Sequence, residues 1–266
     1  MGDMLLAIDI GNSNITLGGI QEGEILFEAR LATDATKTSD EYGVEIKDML
    51  DLFGARVEEI RDCIVASVVP PVFNSVRNGI VKLTGKEPMV VGPGIKTGIN
   101  ILLEDPGATG ADLIAAAVAA VDAYPTPLTV VDMGTATTIA VIDDGNAFLG
   151  GAVLPGLRIS AEALSSRASL LPGIQLERPR RAIGKNTVEC MQSGLMFAAA
   201  MVDGLIDRME AELGRPTTVV ATGGVARFVV PLCRHEIALE RDLQLKGLDL
   251  LYRKNRPRKE AAPNPR

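Results

Sequence analysis

Met4-Leu5-Leu6-Ala7-Ile8-Asp9-Ile10-Gly11-Asn12-Ser13-Asn14 is the stretch on which the fold turns. Leu5 to Ile10 is apolar almost throughout, as a strand buried on both faces should be. Asp9 interrupts the run. A carboxylate in a core strand is costly unless a cation or hydrogen-bond donors satisfy it. Gly11 has no Cβ, so a phosphate could approach the backbone closely. Asn12, Ser13, Asn14 and Thr16 then offer small polar groups without strong charge. The stretch reads as a phosphate-binding turn with an acid placed to hold Mg2+, directly or through water. It also fits an ordinary β-turn, because Asp, Gly, Asn and Ser are common turn residues.

The same grammar returns at Leu128-Thr129-Val130-Val131-Asp132-Met133-Gly134-Thr135-Ala136-Thr137-Thr138. Each copy is an apolar strand, an Asp, one apolar residue, a Gly and small polar residues. After each turn the chain resumes as a strand, over Ile15 to Ile20 and Ile139 to Ile142. Two such units facing each other would form a cleft with two acids and two glycine turns around one polyphosphate.

The 266 residues suffice for one large domain or two moderate ones. Hydrophobic residues make up 47% and aromatic residues only 3%, with no Trp, so the core must be aliphatic. Base stacking as a main theme is thereby disfavoured. A formal net charge of -7 argues against a nucleic acid or an anionic membrane as partner. Cys63, Cys190 and Cys233 lack metal spacing and close no disulfide framework, so they read as small buried residues in a reducing compartment. No secretory leader or membrane-length apolar run is visible, and Leu113 to Val121 is bracketed by Asp112 and Asp122. The expectation is a cytoplasmic protein.

Strands are predicted over Met4–Ile10, Ile15–Ile20 and Gly23–Leu31 as an antiparallel meander. A helix starts at Ser39-Asp40-Glu41, with Tyr42, Ile46, Met49, Leu50 and Phe53 as its stripe and Gly54 as its close. Cys63–Val69 is a strand ended by Pro70-Pro71. Val72, Val76, Ile80 and Leu83 imply a helix ending at Gly85, and Pro88–Val91 a further strand. Gly107-Ala108-Thr109-Gly110-Ala111-Asp112 leads into an Ala-rich helix to about Tyr124. Pro125-Thr126-Pro127 marks a domain boundary, giving domains over 1–124 and 125–254 with a disordered tail over 255–266. The second half repeats the pattern. Strands lie at Leu128–Asp132, Thr137–Ile142 and Asn146–Val153, and a Gly150–Gly156 turn leads into a helix through Leu164. Thr187 to Leu213 is one long helix or two joined ones, and Thr217–Ala221 is a strand running into Thr222-Gly223-Gly224. The class is α/β, with a duplicated βββαβα unit around a central cleft.

Phosphoryl transfer needs charge neutralisation, alignment and a group to orient or deprotonate the attacking oxygen. Asp9 and Asp132 suit cation contacts, and their turns can supply N–H groups. Asp112 reads either as an acid favoured by the helix dipole or as a base that accepts a hydroxyl proton. Thr222-Gly223-Gly224 is either a turn or a platform for an adenine. His235, the only histidine, reads as an ordinary surface residue. The absence of a Walker lysine motif, GxSxG and HExxH counts against P-loop, serine-hydrolase and zincin chemistry.

These residues resemble the type III pantothenate kinases, of the actin-like (ribonuclease H-like) ATPase and sugar kinase superfamily. The similarity runs from Met4 to about Lys254. It rests on Asp9-Ile10-Gly11-Asn12, Gly110-Ala111-Asp112, Asp132-Met133-Gly134-Thr135-Ala136-Thr137, Gly150-Gly151 with Pro155-Gly156, Leu171-Pro172, and Asn186-Thr187-Val188-Glu189 with Gln192-Ser193-Gly194. The resemblance implies ATP-dependent phosphorylation of pantothenate at its terminal hydroxyl, the first step toward coenzyme A. It implies Asp112 as general base. Asp9, Ile10, Gly11, Asn12, Ser13, Asn14, Ile15 and Thr16 would be the ATP phosphate loop, with Mg2+ near Asp9. Asp132 would be the ligand of a monovalent cation (K+ or NH4+), and Thr135 an ATP contact. Gly110, Ala111, Asp112, Leu113 and Thr187 would line the pantothenate site, close to the interface of a homodimer.

The acceptor side departs from the family pattern. Leu113 stands where the family has Arg, Leu103 where it has Tyr, and Ala168-Ser169 where it has Thr-Ala. Leucine cannot replace the donors of a guanidinium. Arg158 or Arg167 could compensate. The alternatives are a non-catalytic nucleotide-binding paralogue and a kinase of another small hydroxyl compound.

Overall fold

The computed structural model describes residues 3–256, which form two compact units. The first holds the chain up to Gly98. Strands β1 (Met4–Ile10), β2 (Asn14–Gln21) and β3 (Glu24–Ala32) form the predicted antiparallel meander. Helix α1 (Ser39–Leu52) follows, then β4 (Ile60–Ser67), α2 (Pro70–Thr84) and β5 (Met89–Val90). The sheet order is β3-β2-β1-β4-β5, with β4 joining β1 and β5 joining β4 in parallel. Apolar β1 ends up central because both of its faces are covered, and Leu6, Ile8 and Ile10 are fully buried.

The second unit runs from Ile99 to Gln244. It contains β6 (Asn100–Ile101), α3 (Ala111–Ala123), β7 (Leu128–Met133), β8 (Ala136–Ile142), β9 (Ala147–Pro155), α4 (Leu157–Arg167), α5 (Thr187–Ala200), α6 (Val202–Leu213), β10 (Thr218–Thr222), α7 (Ala226–Val229) and β11 (Ile237–Leu239). Its sheet order is β11-β10-β7-β8-β9-β6. Read from the other edge, β9-β8-β7-β10-β11 repeats the order of the first sheet, with the same parallel and antiparallel pairings. The duplication inferred from two short motifs thus extends to five strands. The last helix, α8 (Leu243–Asn255), returns the chain to the first unit.

Several details differ from expectation. The units divide at Gly98/Ile99 and Gln244/Leu245 rather than at the proline-rich segment after Tyr124. Helix α3 packs on β7 and β8, so its Ala-rich surface belongs to the second unit. Helix α1 is capped by Thr38: Glu41 N–H donates to Thr38 Oγ1 at 3.3 Å and Thr38 N–H to Glu41 Oε2 at 2.8 Å. Pro70 and Pro71 open α2, because proline's missing N–H is harmless in a first turn. The strand expected to end at Val153 runs on to Pro155 through the Gly150–Gly156 segment also read as a turn, and its ladder to β8 absorbs an irregularity near Ile142. Thr187 to Leu213 is two helices meeting at Met201. Asn255, assigned to a disordered tail, ends α8 and bonds the main chain of Lys96; the remainder of that tail from 257 on lies outside the described residues. Cys190 is exposed rather than buried. Short β6 and β11 and helices α7 and α8 were not predicted. Among the described residues, no helix is long and apolar enough to cross a membrane.

Candidate active site

Asp132 is the penultimate residue of β7. It pairs with Thr138 on β8 and Thr222 on β10. Directly paired residues present their side chains to one face of a sheet. The turn beyond it closes through Gly134 N–H, which donates to Ala136 O at 3.0 Å. Gln244 Nε2 donates to Asp132 Oδ2 at 2.8 Å. Gly223, at φ +96°, lies so close that a Cβ there would sit 2.6 Å from Asp132 Oδ1 and 2.5 Å from Met133 O. The glycine that read as an adenine platform is thus required by the carboxylate itself.

Asp112 lies in the first turn of α3, after the N-cap Gly110. Its Oδ1 accepts from Leu113 N–H at 2.8 Å. Burial raises its pKa, against which the hydrogen bonds of Leu113 and its own amide act. For Asp132, burial comes first and the Asp112 carboxylate second; together they push it up to about 7 although Gln244 favours the ionised form. The two acids therefore share one region of the second unit with a neutral amide as donor. Thr138 Oγ1, across the ladder from Asp132, and Thr109 Oγ1, just before the α3 N-cap, are buried with no hydrogen-bond partner among the described residues. Carboxylates and hydroxyls suit a hard, oxygen-seeking cation, so these groups fit the implied monovalent ion. Among the described residues, no group of three or more His, Cys, Asp or Glu could hold a metal by itself.

In the first unit Asp9 occupies the corresponding penultimate position of β1, paired with Thr16 and Ala66. Gly11 N–H donates to Asn14 O at 3.0 Å, closing a turn of the same kind. Thr33 braces it, Oγ1 donating to Gly11 O at 2.6 Å and N–H to Ser13 O at 3.2 Å. Asn12, Ser13 and Asn14 are exposed, whereas the Ile10 and Ile15 side chains are fully buried and leave only main chain for a ligand.

Of the expected acceptor residues, Ala111 is buried and Leu113 half-buried beside Asp112. Thr187 is exposed at the start of α5, where Asn186 Oδ1 caps Glu189 N–H at 2.9 Å. It lines an open apolar groove of about 570 Å³ with Leu164, Leu171, Met191 and Leu195. The second unit thus brings Asp112 and Asp132 together; the Asp9–Thr16 turn belongs to the first unit, and Thr187 lines the groove along α5. Sequence reasoning missed Gln244 and Thr138. The hairpin register could have found Thr138 opposite Asp132; nothing local points to Gln244, which lies 112 residues from its partner. His235 is no ordinary surface residue either: its Nδ1 lies 2.9 Å from Asp203 Oδ1, and its side chain is 19% exposed.

Known structures share this architecture. A protein described as a Baf family transcriptional activator from Campylobacter jejuni superposes with a TM-score of 0.58 at 19% identity, over 94% of this chain and 98% of that one. Component A of (R)-2-hydroxyglutaryl-CoA dehydratase from Acidaminococcus fermentans gives 0.52 at 16%, over 92% and 94%. A protein described as an N-acetylglucosamine kinase from Porphyromonas gingivalis gives 0.51 at 13%, over 95% and 99%. At these identities the likeness concerns the fold alone. Sequence carries the assignment further: the family model for type III pantothenate kinase matches residues 5–208, a span that includes both strand-Asp-x-Gly turns and the Asp112 helix start. The chain belongs to the type III pantothenate kinase family.

Proposed function

We propose that this chain transfers the γ-phosphoryl group of ATP to the terminal hydroxyl of pantothenate, giving 4'-phosphopantothenate and ADP. The observation that carries the reading is the coincidence of the family match with a half-buried acid pair, Asp112 and Asp132, in the second unit. Asp112 takes the acceptor hydroxyl proton as the oxygen attacks the γ-phosphorus. Burial, which raises its pKa, makes it a better base than an exposed carboxylate. The Asp9–Thr16 and Gly134–Thr135 turns offer main-chain N–H groups and small polar side chains to the phosphates. Asp132 would hold the monovalent cation; two neighbouring half-buried carboxylates, with the Gln244 amide and the Leu113 N–H as donors, leave negative charge that such an ion offsets. Mg2+, bound with ATP near Asp9, would neutralise charge on the transferring phosphate.

Gly110, Ala111, Leu113 and Thr187 form the acceptor side. A second copy of the chain covers the apolar groove along α5, where Val188 and Phe197 are also exposed. The three free cysteines fit a reducing cytoplasm. A coupled ADP-release assay tests the reading. Turnover that requires pantothenate and rises with potassium is expected. ATP binding without pantothenate-dependent ADP release would overturn it in favour of a nucleotide-binding paralogue, and release with a different hydroxyl compound would reassign the acceptor.

A further inference from the structure

We infer that Gln244 is the positioning residue for Asp132, assigning its two carboxylate oxygens different tasks. The inference rests on the kinase reading above. Oδ2 is engaged, accepting from Gln244 Nε2 at 2.8 Å. Oδ1 is the oxygen beside which side chains are missing. A Cβ on Gly223 would lie 2.6 Å from it and one on Gly134 3.6 Å from it. Two glycines keep this oxygen clear for a ligand while the amide holds the other back.

The amide's own orientation is fixed. An ionised carboxylate can only accept, so the Gln244 NH2 must face it. Gln244 Oε1 then faces Thr222 Oγ1 at 3.4 Å, and that hydroxyl also lies 3.4 Å from Arg241 O. Thr222 is wholly buried, and it sits across the ladder from Asp132. Leu243 and Leu245, both buried, fix the main chain on either side of Gln244. Thr222, Gln244 and Asp132 thus form one chain of hydrogen bonds, fixed by the core and ending on a carboxylate. Gln244 is also the last residue of the second unit before α8 joins the first.

A double-mutant cycle tests this, read on pantothenate-dependent ADP release and on the Kd of ATP by calorimetry. Gln244→Leu keeps the bulk and removes the donor. It should lower kcat about tenfold or more, the usual weight of a hydrogen bond to a charged group, with the KM for ATP moving less than about threefold. In an Asp132→Asn background the same substitution should change kcat by less than about threefold, because the group it acts through is gone. Thr222→Val should reproduce the loss in weaker form, and carries the cycle alone if Gln244→Leu does not fold. Full kcat in Gln244→Leu, or an equal loss in both backgrounds, overturns the inference, the latter marking a merely structural contact. If wild type binds ATP without turnover, the kinase reading falls and the cycle is read on the Tm shift caused by potassium, which Gln244→Leu should shrink where Asp132 is present and leave unchanged in the Asp132→Asn background. If it does neither, both fall.

Discussion

Asp132→Asn should make the protein more stable at alkaline pH and leave it nearly unchanged only well below pH 3.8. The folded carboxyl sits at about 7 against an ordinary 3.8. That difference corresponds to about 4 kcal/mol of unfavourable free energy once the group is ionised. Well below pH 3.8, Asp132 is protonated in both states and no penalty exists. Between 4 and 7 the unfolded chain ionises first, so stability falls as pH rises. Above 7 both states are ionised and the full penalty applies. Asparagine is never charged, and the site can still bond it. Gln244 turns its carbonyl toward the new amide, and its NH2 finds the Thr222 hydroxyl, which donates to Arg241 O. Allowing for imperfect repairing, a gain of about 2–4 kcal/mol at pH 8.5 is expected, or roughly 4–8 °C in Tm for a chain of this size. The assay is thermal unfolding from pH 5 to 8.5 in buffer free of potassium and ammonium, with hydrogen exchange of the β7 and β8 amides reading the second unit directly. Adding potassium should narrow the gap by stabilising wild type alone. A difference that does not vary with pH, or a variant that is less stable at pH 8.5, would refute the reasoning.

Asp112→Asn should lower kcat by about a hundredfold or more while calorimetry finds the Kd for ATP within about threefold of wild type. Gly223→Ala should cost about 2 kcal/mol or more by chemical denaturation, since its φ of +96° is unfavourable for alanine and the new methyl meets Asp132 Oδ1 and Met133 O. Thr38→Ala should cost about 1 kcal/mol, because Glu41 N–H loses Thr38 Oγ1 as its acceptor while the Thr38 N–H bond to Glu41 Oε2 remains. Asp203→Ala should cost about 3 kcal/mol at neutral pH by denaturant titration, leaving the Arg234 and His235 N–H groups without their buried acceptor. Those hydrogen bonds hold the Asp203 pKa below its ordinary value against burial, so wild type should lose this contribution as pH falls below about 4 and the variant should not.

The strands flanking Asp9 and Asp132 were legible because an apolar run, an acid and a glycine turn each have a local physical cause. Helices α1 and α2 were legible from the spacing of Tyr42, Ile46 and Leu50 and of Val72, Val76 and Ile80, all buried as that spacing requires. Two-residue β6 and three-residue β11 were not, since an edge strand that short has no period. Helix α8 carried a signal that went unread: Leu245, Leu248 and Tyr252 follow helical spacing amid charges. Pro125-Thr126-Pro127 has the composition of a linker, whereas the compact units divide at Gly98/Ile99, with α3 packed on β7 and β8. The partners of Asp132 come from β8, β10 and the start of α8, so register supplies one and tertiary folding the rest. His235 looked exposed because its neighbours in sequence are charged, yet Asp203 on α6 encloses it.

The two halves share more than a motif. In each sheet the acid-bearing strand is flanked by an antiparallel partner on one side and a parallel one on the other, β2 and β4 for Asp9, β8 and β10 for Asp132. Both acids stand at the carboxyl ends of strands that run parallel to a neighbour, the edge where open α/β sheets bind ligands. A penultimate strand position is nearly core: Ile8 and Ile10 on either side of Asp9, and Val131 and Met133 on either side of Asp132, are buried. An acid there carries a desolvation cost that an apolar residue would not, and at Asp132 that cost is large. A fold that only needed stability would have a valine at such a position. We propose that a ligand offsets this cost when bound; on that reading the free protein should gain stability from whatever cation or nucleotide supplies the offset.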